Sequence, residues 1–209
     1  MTANVALGEM NIEPIVKDEV LLRKSARGDE AAFTQLYRRY QAPLFRFALR
    51  MTGNRWAAEE IVQDVFMTLM RDPKKFDVER GTLGGYLYGI ARNRIMKHQE
   101  RLPRELPLDL EVEEGNATLA KWTDEKTPAQ WAELKQRREM VRHAVMQLPV
   151  EFREAIVLCE LEEMSYEEAA SALECPIGTI RSRLHRGRAL LLAKLEILRD
   201  VPKRVSAVR

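Results

Sequence analysis

From Ile177 to Lys194 the chain carries Arg181, Arg183, Arg186, Arg188 and Lys194 and not one acidic residue. Guanidinium forks pair with guanine O6 and N7 and with phosphate oxygens. A helix turns about 100° per residue. On that wheel Ile180, Leu184, Gly187 and Leu191 form one stripe, fit to pack on a domain. Arg181, Ser182, His185 and Arg186 gather on the opposite face, with Thr179 one turn before. Arg183 and Arg188 lie on the flanks. The face opposite the apolar stripe is suited to reading base edges, and the flanks to holding phosphates. A plain solvated helix would mix acids among its bases; this one does not.

The elements that must position this face are a pair of short helices. Ser165 is placed to cap the first, with Glu168 three residues on to close a capping box. Ala169, Ala170 and Leu173 follow at helical spacing, and Cys175-Pro176 breaks the helix. The proline suits the first turn of the next one. Two helices with a tight turn and a basic second helix make the layout of a helix-turn-helix that enters a DNA major groove.

Other groupings exclude as much as they imply. Glu59, Glu60, Gln63 and Asp64 share one side of a helix whose other side holds Ile61, Val65, Phe66 and Leu69. With no histidine near, this is a polar protein-docking face rather than a metal or acid–base centre. Gly-rich phosphate loops, HExxH and GxSxG are absent, so no enzyme and no cofactor is implied. Cys159 and Cys175 form no CxxC pair, and His98, His143 and His185 are scattered, so no metal site is implied. Both cysteines are expected to be buried structural residues in a reducing, cytoplasmic compartment. The start of the chain lacks the basic-then-apolar pattern of a signal peptide. No apolar run reaches the roughly 20 residues that cross a bilayer, so no direct membrane insertion is expected.

The remaining pattern is helical throughout, without strand alternation. A short helix from Asp18 to Ala26 precedes a long one. In the long helix Phe33, Leu36, Tyr37, Tyr40, Leu44, Phe47 and Met51 recur at three and four residues. Asp29 can cap it, Pro43 can kink it, and Gly53-Asn54 can end it. Trp56 to Met70 makes the next helix. A third runs from about Leu83 to Gln99, with Leu83, Leu87 and Ile90 as its core stripe and Tyr86, Tyr88, Arg92, Asn93, Arg94 and Lys97 around the rest. Residues 105–130 hold seven acids against Lys121 and Lys126, with Pro107, Gly115 and Pro128 among them. That composition marks a flexible linker. The expected organisation is all-α, with two small helical domains: a mobile start (1–14), a first domain (15–101), an acidic linker (102–130), a second domain (131–199) and a tail (200–209). The net charge of only +2 keeps the basic surface local, as for a chain that docks on DNA and on another protein.

The ordered set RGDEAAFTQLYRRY, AAEEIVQDVFMTLM, FDVERGTL and YLYGIARNR, followed by LPVEFREAIVLCELEEMSYEEAASALECPIGTIRSRLHRGRALL, resembles a bacterial sigma factor of the extracytoplasmic-function (ECF) type in the sigma-70 family. The resemblance spans residues 18–99 and 131–198. It implies a dissociable, monomeric subunit of RNA polymerase that recognises promoters. The first domain would be sigma region two and the second region four. Glu59, Glu60, Gln63, Asp64 and Phe66 would dock on the clamp coiled coil of β′, and the second domain and linker would engage core polymerase including the β subunit. Tyr86, Tyr88, Arg92, Asn93, Arg94 and Lys97 would read and open the −10 element, the tyrosines by stacking and the cations by holding phosphates. Thr179, Arg181, Ser182, His185 and Arg186 would read the −35 element, with Arg183 and Arg188 on phosphates. The resemblance also implies control by an anti-sigma factor. Many relatives carry Asp at the place of Ala57, Trp at that of Tyr86 and Arg at that of Gly89. Two other classes stay open on the residues alone. A stand-alone helix-turn-helix regulator would bind its DNA tightly without polymerase. A helical adaptor would bind only proteins.

Overall fold

The computed structural model describes residues 16–101 and 127–200, and every regular element among them is helical. The expected mobile start, nearly all of the acidic linker and the tail lie outside the described residues.

The first half holds α1 (Asp18–Ser25), α2 (Glu30–Thr52), α3 (Arg55–Arg71) and α4 (Leu83–Arg101). Asp29 accepts from the Ala32 N–H at 3.0 Å and starts α2. Gly53 stops it with φ +68°, its N–H bonded to the Leu49 carbonyl at 2.8 Å. That left-handed turn costs glycine nothing. Pro43 sits inside an unbroken α2. Along α2, Leu36, Leu44, Phe47 and Met51 are fully buried. Each such side chain contributes about 1.5–3 kcal/mol over exposure. Asn54 caps α3 through the Ala57 N–H at 3.0 Å. Between α3 and α4 the expected loop is two 3-10 turns, Pro73–Lys75 and Val78–Arg80.

The second half holds α5 (Pro128–Met146), α6 (Val150–Ile156), α7 (Tyr166–Ala172) and α8 (Ile177–Asp200). Helix α5 begins three residues before the expected boundary. Thr127 and Gln130 form a capping box, and Pro128, expected to interrupt helix, takes the first turn. Pro176 likewise lies just before α8, where its carbonyl accepts from Thr179 at 2.8 Å. After α6 the chain widens into a π turn, Val157–Leu161, whose exit is Glu162 N–H to Val157 O at 2.9 Å. Glu163 then takes φ +55°.

The halves do not sit apart. Helix α7 lies along α4, and α2 meets α5, α6 and the π turn. One continuous core runs from Leu36 and Phe47 through Leu87 to Ile156 and Leu184. Two glycines allow the α4–α7 approach. A Cβ on Gly85 would stand 3.6 Å from the Glu168 carbonyl, and one on Gly89 would stand 3.5 Å from that of Ala172. Polar contacts cross the same seam. Thr82 donates to Glu168 at 3.1 Å and Arg92 to Glu154 at 2.7 Å.

Candidate nucleic-acid interface

Helix α8 presents the face deduced from its spacing. Ile180 and Leu184 are buried, and a Cβ at Gly187 would press on Ile156 Cγ1 at 3.1 Å. Arg181, Ser182, His185 and Arg186 are exposed on the other side, and Thr179 is half-buried at its start. Ser182 Oγ donates to the Thr179 carbonyl at 2.9 Å. Among the described residues no ion pair or side-chain hydrogen bond engages Arg181 or Arg186. The capping box of α7 is formed as expected, with Glu168 N–H to Ser165 Oγ and Ser165 N–H to Glu168 both at 3.1 Å.

The flanks differ from expectation. Arg188 is tied to Glu160, its Nε at 3.1 Å from the carboxylate. That carboxylate raises the already high pKa of the guanidinium. Arg183 is half-buried, and one of its terminal nitrogens is sealed from solvent without a hydrogen-bond partner.

On α4 the expected set divides. Asn93 and Lys97 are exposed and Tyr86 is half-buried beside Phe76, with ring centroids 5.7 Å apart. Asn93 and Lys97 are open to solvent, and Tyr86 is partly so. Tyr88 is not. It is 5 % exposed and packs edge-on against Phe47 at 5.3 Å, so it belongs to the core and is no stacking platform here. Burial raises its phenol far above the usual range. The spacing hid this because α4 buries Leu83, Leu87, Ala91 and Ile95 as well, a wider stripe than the one expected. Arg92 is paired with Glu154, a carboxylate buried at 2 % exposure. Arg94 lies 3.5 Å from Asp64 and donates to Thr68 at 3.1 Å. A cleft of about 240 Å³ opens between this end of α4 and α7, lined by Arg80, Tyr86, Asn93, Ser171 and Glu174 among others.

Helix α3 exposes Trp56, Glu60, Gln63 and Met67, with Glu59 and Asp64 half-covered beside them. Trp56 is 81 % exposed and Met67 58 %, so the acidic-amide face has an apolar complement. Phe66, expected on that docking face, is 4 % exposed and meets Phe33 and Tyr37 in the core. Helical position explains it: Phe66 follows Ile61, Val62 and Val65 on the inward side.

Sequence reasoning missed five charged residues. Arg153 donates to the Met51 carbonyl at 3.0 Å and the Leu148 carbonyl at 2.9 Å, tying the end of α2 to the second half. Burial lowers its pKa. Glu162, with a side chain 1 % exposed, is held by Arg46 at 2.9 Å and by Arg50. Burial pushes its carboxyl up against the pull of those guanidiniums. Glu154 completes the group. The i, i+4 pair Arg46 and Arg50 on the polar side of α2 was the only signal for any of these in the sequence.

The chain matches the family model described as Sigma-70 region 2 over residues 36–104 and that described as Sigma-70, region 4 over residues 138–191. It is 31 % identical to the ECF RNA polymerase sigma-E factor of Escherichia coli K12, over 87 % of this chain and 95 % of that protein. It is 30 % identical to the RNA polymerase sigma-H factor of Pseudomonas aeruginosa, over the same shares. The ECF RNA polymerase sigma factor SigE of Mycolicibacterium smegmatis is 32 % identical over 79 % of this chain, which spans 63 % of that longer protein. Among solved structures, the sigma factor RpoE of Bartonella quintana in complex with the anti-sigma factor NepR shares the fold. The TM-score is 0.58 at 27 % identity, over 79 % of this chain and 97 % of that one.

Proposed function

This chain belongs to the ECF sigma factors of RNA polymerase, and from that premise we propose how it acts. It binds core polymerase through the exposed α3 face, with Glu59, Glu60, Gln63 and Asp64 meeting the clamp coiled coil and Trp56 and Met67 supplying apolar contact. Helix α8 then sits in the −35 major groove, with Arg181, Ser182, His185 and Arg186 on base edges and Thr179 near the backbone. Arg183 and Arg188 belong to phosphates, the latter after leaving Glu160. Tyr86, Asn93, Arg94 and Lys97 serve the −10 element, joined by Arg92 once Glu154 withdraws. Strand opening draws on binding energy, and no covalent step by this chain is required.

The observation that carries the reading is the uncompensated arginine face of α8 presented beside a separate acidic-and-apolar face on α3. A stand-alone regulator has no use for the second face. The packed seam also bears on control. With α7 on α4, Arg92 is occupied by Glu154, so full use of the α4 set at a promoter requires the halves to part. The Bartonella sigma factor is bound to an anti-sigma factor, and a protein of that kind is the expected regulator here.

Run-off transcription with purified core polymerase tests the proposal. Promoter-specific transcripts that need both components are expected. Tight, sequence-specific duplex binding by the free chain, with no transcripts in the reconstituted system, would replace it with the stand-alone regulator. No helix among the described residues is long and apolar enough to cross a membrane.

A further inference from the structure

We infer that Arg46 and Arg50 of α2 form a seat for a backbone phosphate of promoter DNA, and that Glu162 fills this seat only while the halves are packed together. The inference rests on the sigma-factor reading above and adds a contact on α2 to it.

The seat is built, not incidental. Arg46 reaches one oxygen of the Glu162 carboxylate at 2.9 Å and Arg50 reaches the other. The carboxylate is 1 % exposed although Arg46 remains 46 % exposed, so the anion is sunk below the cations. Two backbone irregularities deliver it there. The π turn Val157–Leu161 ends at Glu162, and Glu163 takes φ +55°, a region that non-glycine residues seldom adopt. Such outliers persist where surrounding contacts hold them, and here the contact is the seat.

A second seat lies beside the first. Tyr88 packs on Phe47, the chain neighbour of Arg46, and Arg92 stands one turn, about 6 Å, further along α4. It too is filled by a buried carboxylate of the second half, Glu154, at 2.7 Å. Carboxylate and phosphate both offer paired oxygens to guanidinium forks and are interchangeable in that geometry. When the second half leaves, three arginines lose two anions at once. Two seats a turn apart suit a polyanion with evenly repeated charges better than a single ion. The second seat also lies on the helix whose Tyr86, Asn93 and Lys97 are assigned to the −10 strand above. Glu154 and Glu162 thus act as built-in competitors of the DNA backbone.

The test uses the reconstituted holoenzyme on a promoter mapped by its own run-off transcripts. Open-complex formation is followed over a salt series for the wild type, R46A/R50A and R46K/R50K, with core affinity measured in parallel. The expected result for R46A/R50A is about tenfold fewer open complexes at moderate salt and a salt dependence flatter by about one phosphate contact. R46K/R50K keeps the charge and should regain most of the salt dependence, which a folding defect would not show. Wild-type salt dependence in R46A/R50A overturns the inference while the sigma-factor reading stands. Loss of core affinity with an unchanged salt dependence also overturns it, by assigning the arginines to a carboxylate on polymerase. Absence of promoter-specific transcripts from the wild type instead overturns the sigma-factor reading itself.

Discussion

Arginines in this chain differ in what already holds them, and that decides what each substitution should do. Arg181 and Arg186 are exposed and unengaged, so Arg181→Ala or Arg186→Ala should cost about 1–3 kcal/mol at particular −35 base pairs and little elsewhere. Binding or initiation measured on a panel of single-base promoter variants reads this directly, and a uniform loss would move them to the backbone class. Arg188 must first leave Glu160. Arg188→Ala should weaken all sequences alike and lower the salt slope by about 1. Cysteine chemistry is decided at the same scale. Burial, with Glu160 nearby, pushes the Cys159 thiol up to about 11. At neutral pH its thiolate fraction is therefore about a hundredfold below that of a free cysteine. In a Cys175→Ser background, alkylation of Cys159 by iodoacetamide should be slow and rise about tenfold per pH unit up to that value. A fast, flat rate near pH 7 would contradict the burial of this thiol.

Helices are held here by local devices whose worth can be measured singly. Ser165 satisfies the Glu168 N–H at the start of α7, a helix of seven residues with little length to spare. Ser165→Ala should lower stability by about 1 kcal/mol in urea unfolding. Gly187 is a packing device: its missing Cβ leaves room for Ile156 Cγ1, 3.1 Å from where that atom would stand. Gly187→Leu should cost about 1–3 kcal/mol by overpacking. Devices of this local kind were legible in the sequence, because caps, breaks and helical stripes are set by residues within four of one another. The Ser165–Glu168 capping box, the Gly53 stop and the α8 face all follow from such spacing. Tyr88 was misplaced because its environment is made by another helix, Phe47 on α2; Phe66 was placed inward by its spacing, and only the resemblance set it on the docking face. Glu154 and Glu162 carry no local signal of burial in the sequence. Only the seam between halves buries them, and the π turn that aims Glu162 has no signature in a single sequence.

At the scale of the whole molecule the question is what keeps the halves together. Each half alone is small, and a shared core offsets the poor surface-to-volume ratio of both. The same seam occupies Arg92, Arg46 and Arg50 with carboxylates, so stability and promoter access oppose each other. The weak point is the glycine side of α4. At Gly89 the Ala172 carbonyl would lie 3.5 Å from a Cβ, which leaves space for a methyl group and nothing longer. Many relatives are expected to carry arginine there. Gly89→Arg should therefore part α7 from α4 while leaving the core of each half intact. Small-angle scattering should show a radius of gyration larger by several ångströms, against about 17 Å for a compact chain of this length. Circular dichroism should show helix content unchanged within error. Opening exposes Arg92 and frees the α4 face, so the variant should also bind single-stranded DNA more tightly at low salt than the wild type. A variant that stays as compact as the wild type would mean that the ion pairs to Glu154 and Glu162, not the glycine notch, set the closed arrangement. E154Q/E162Q would then be the substitution that opens it.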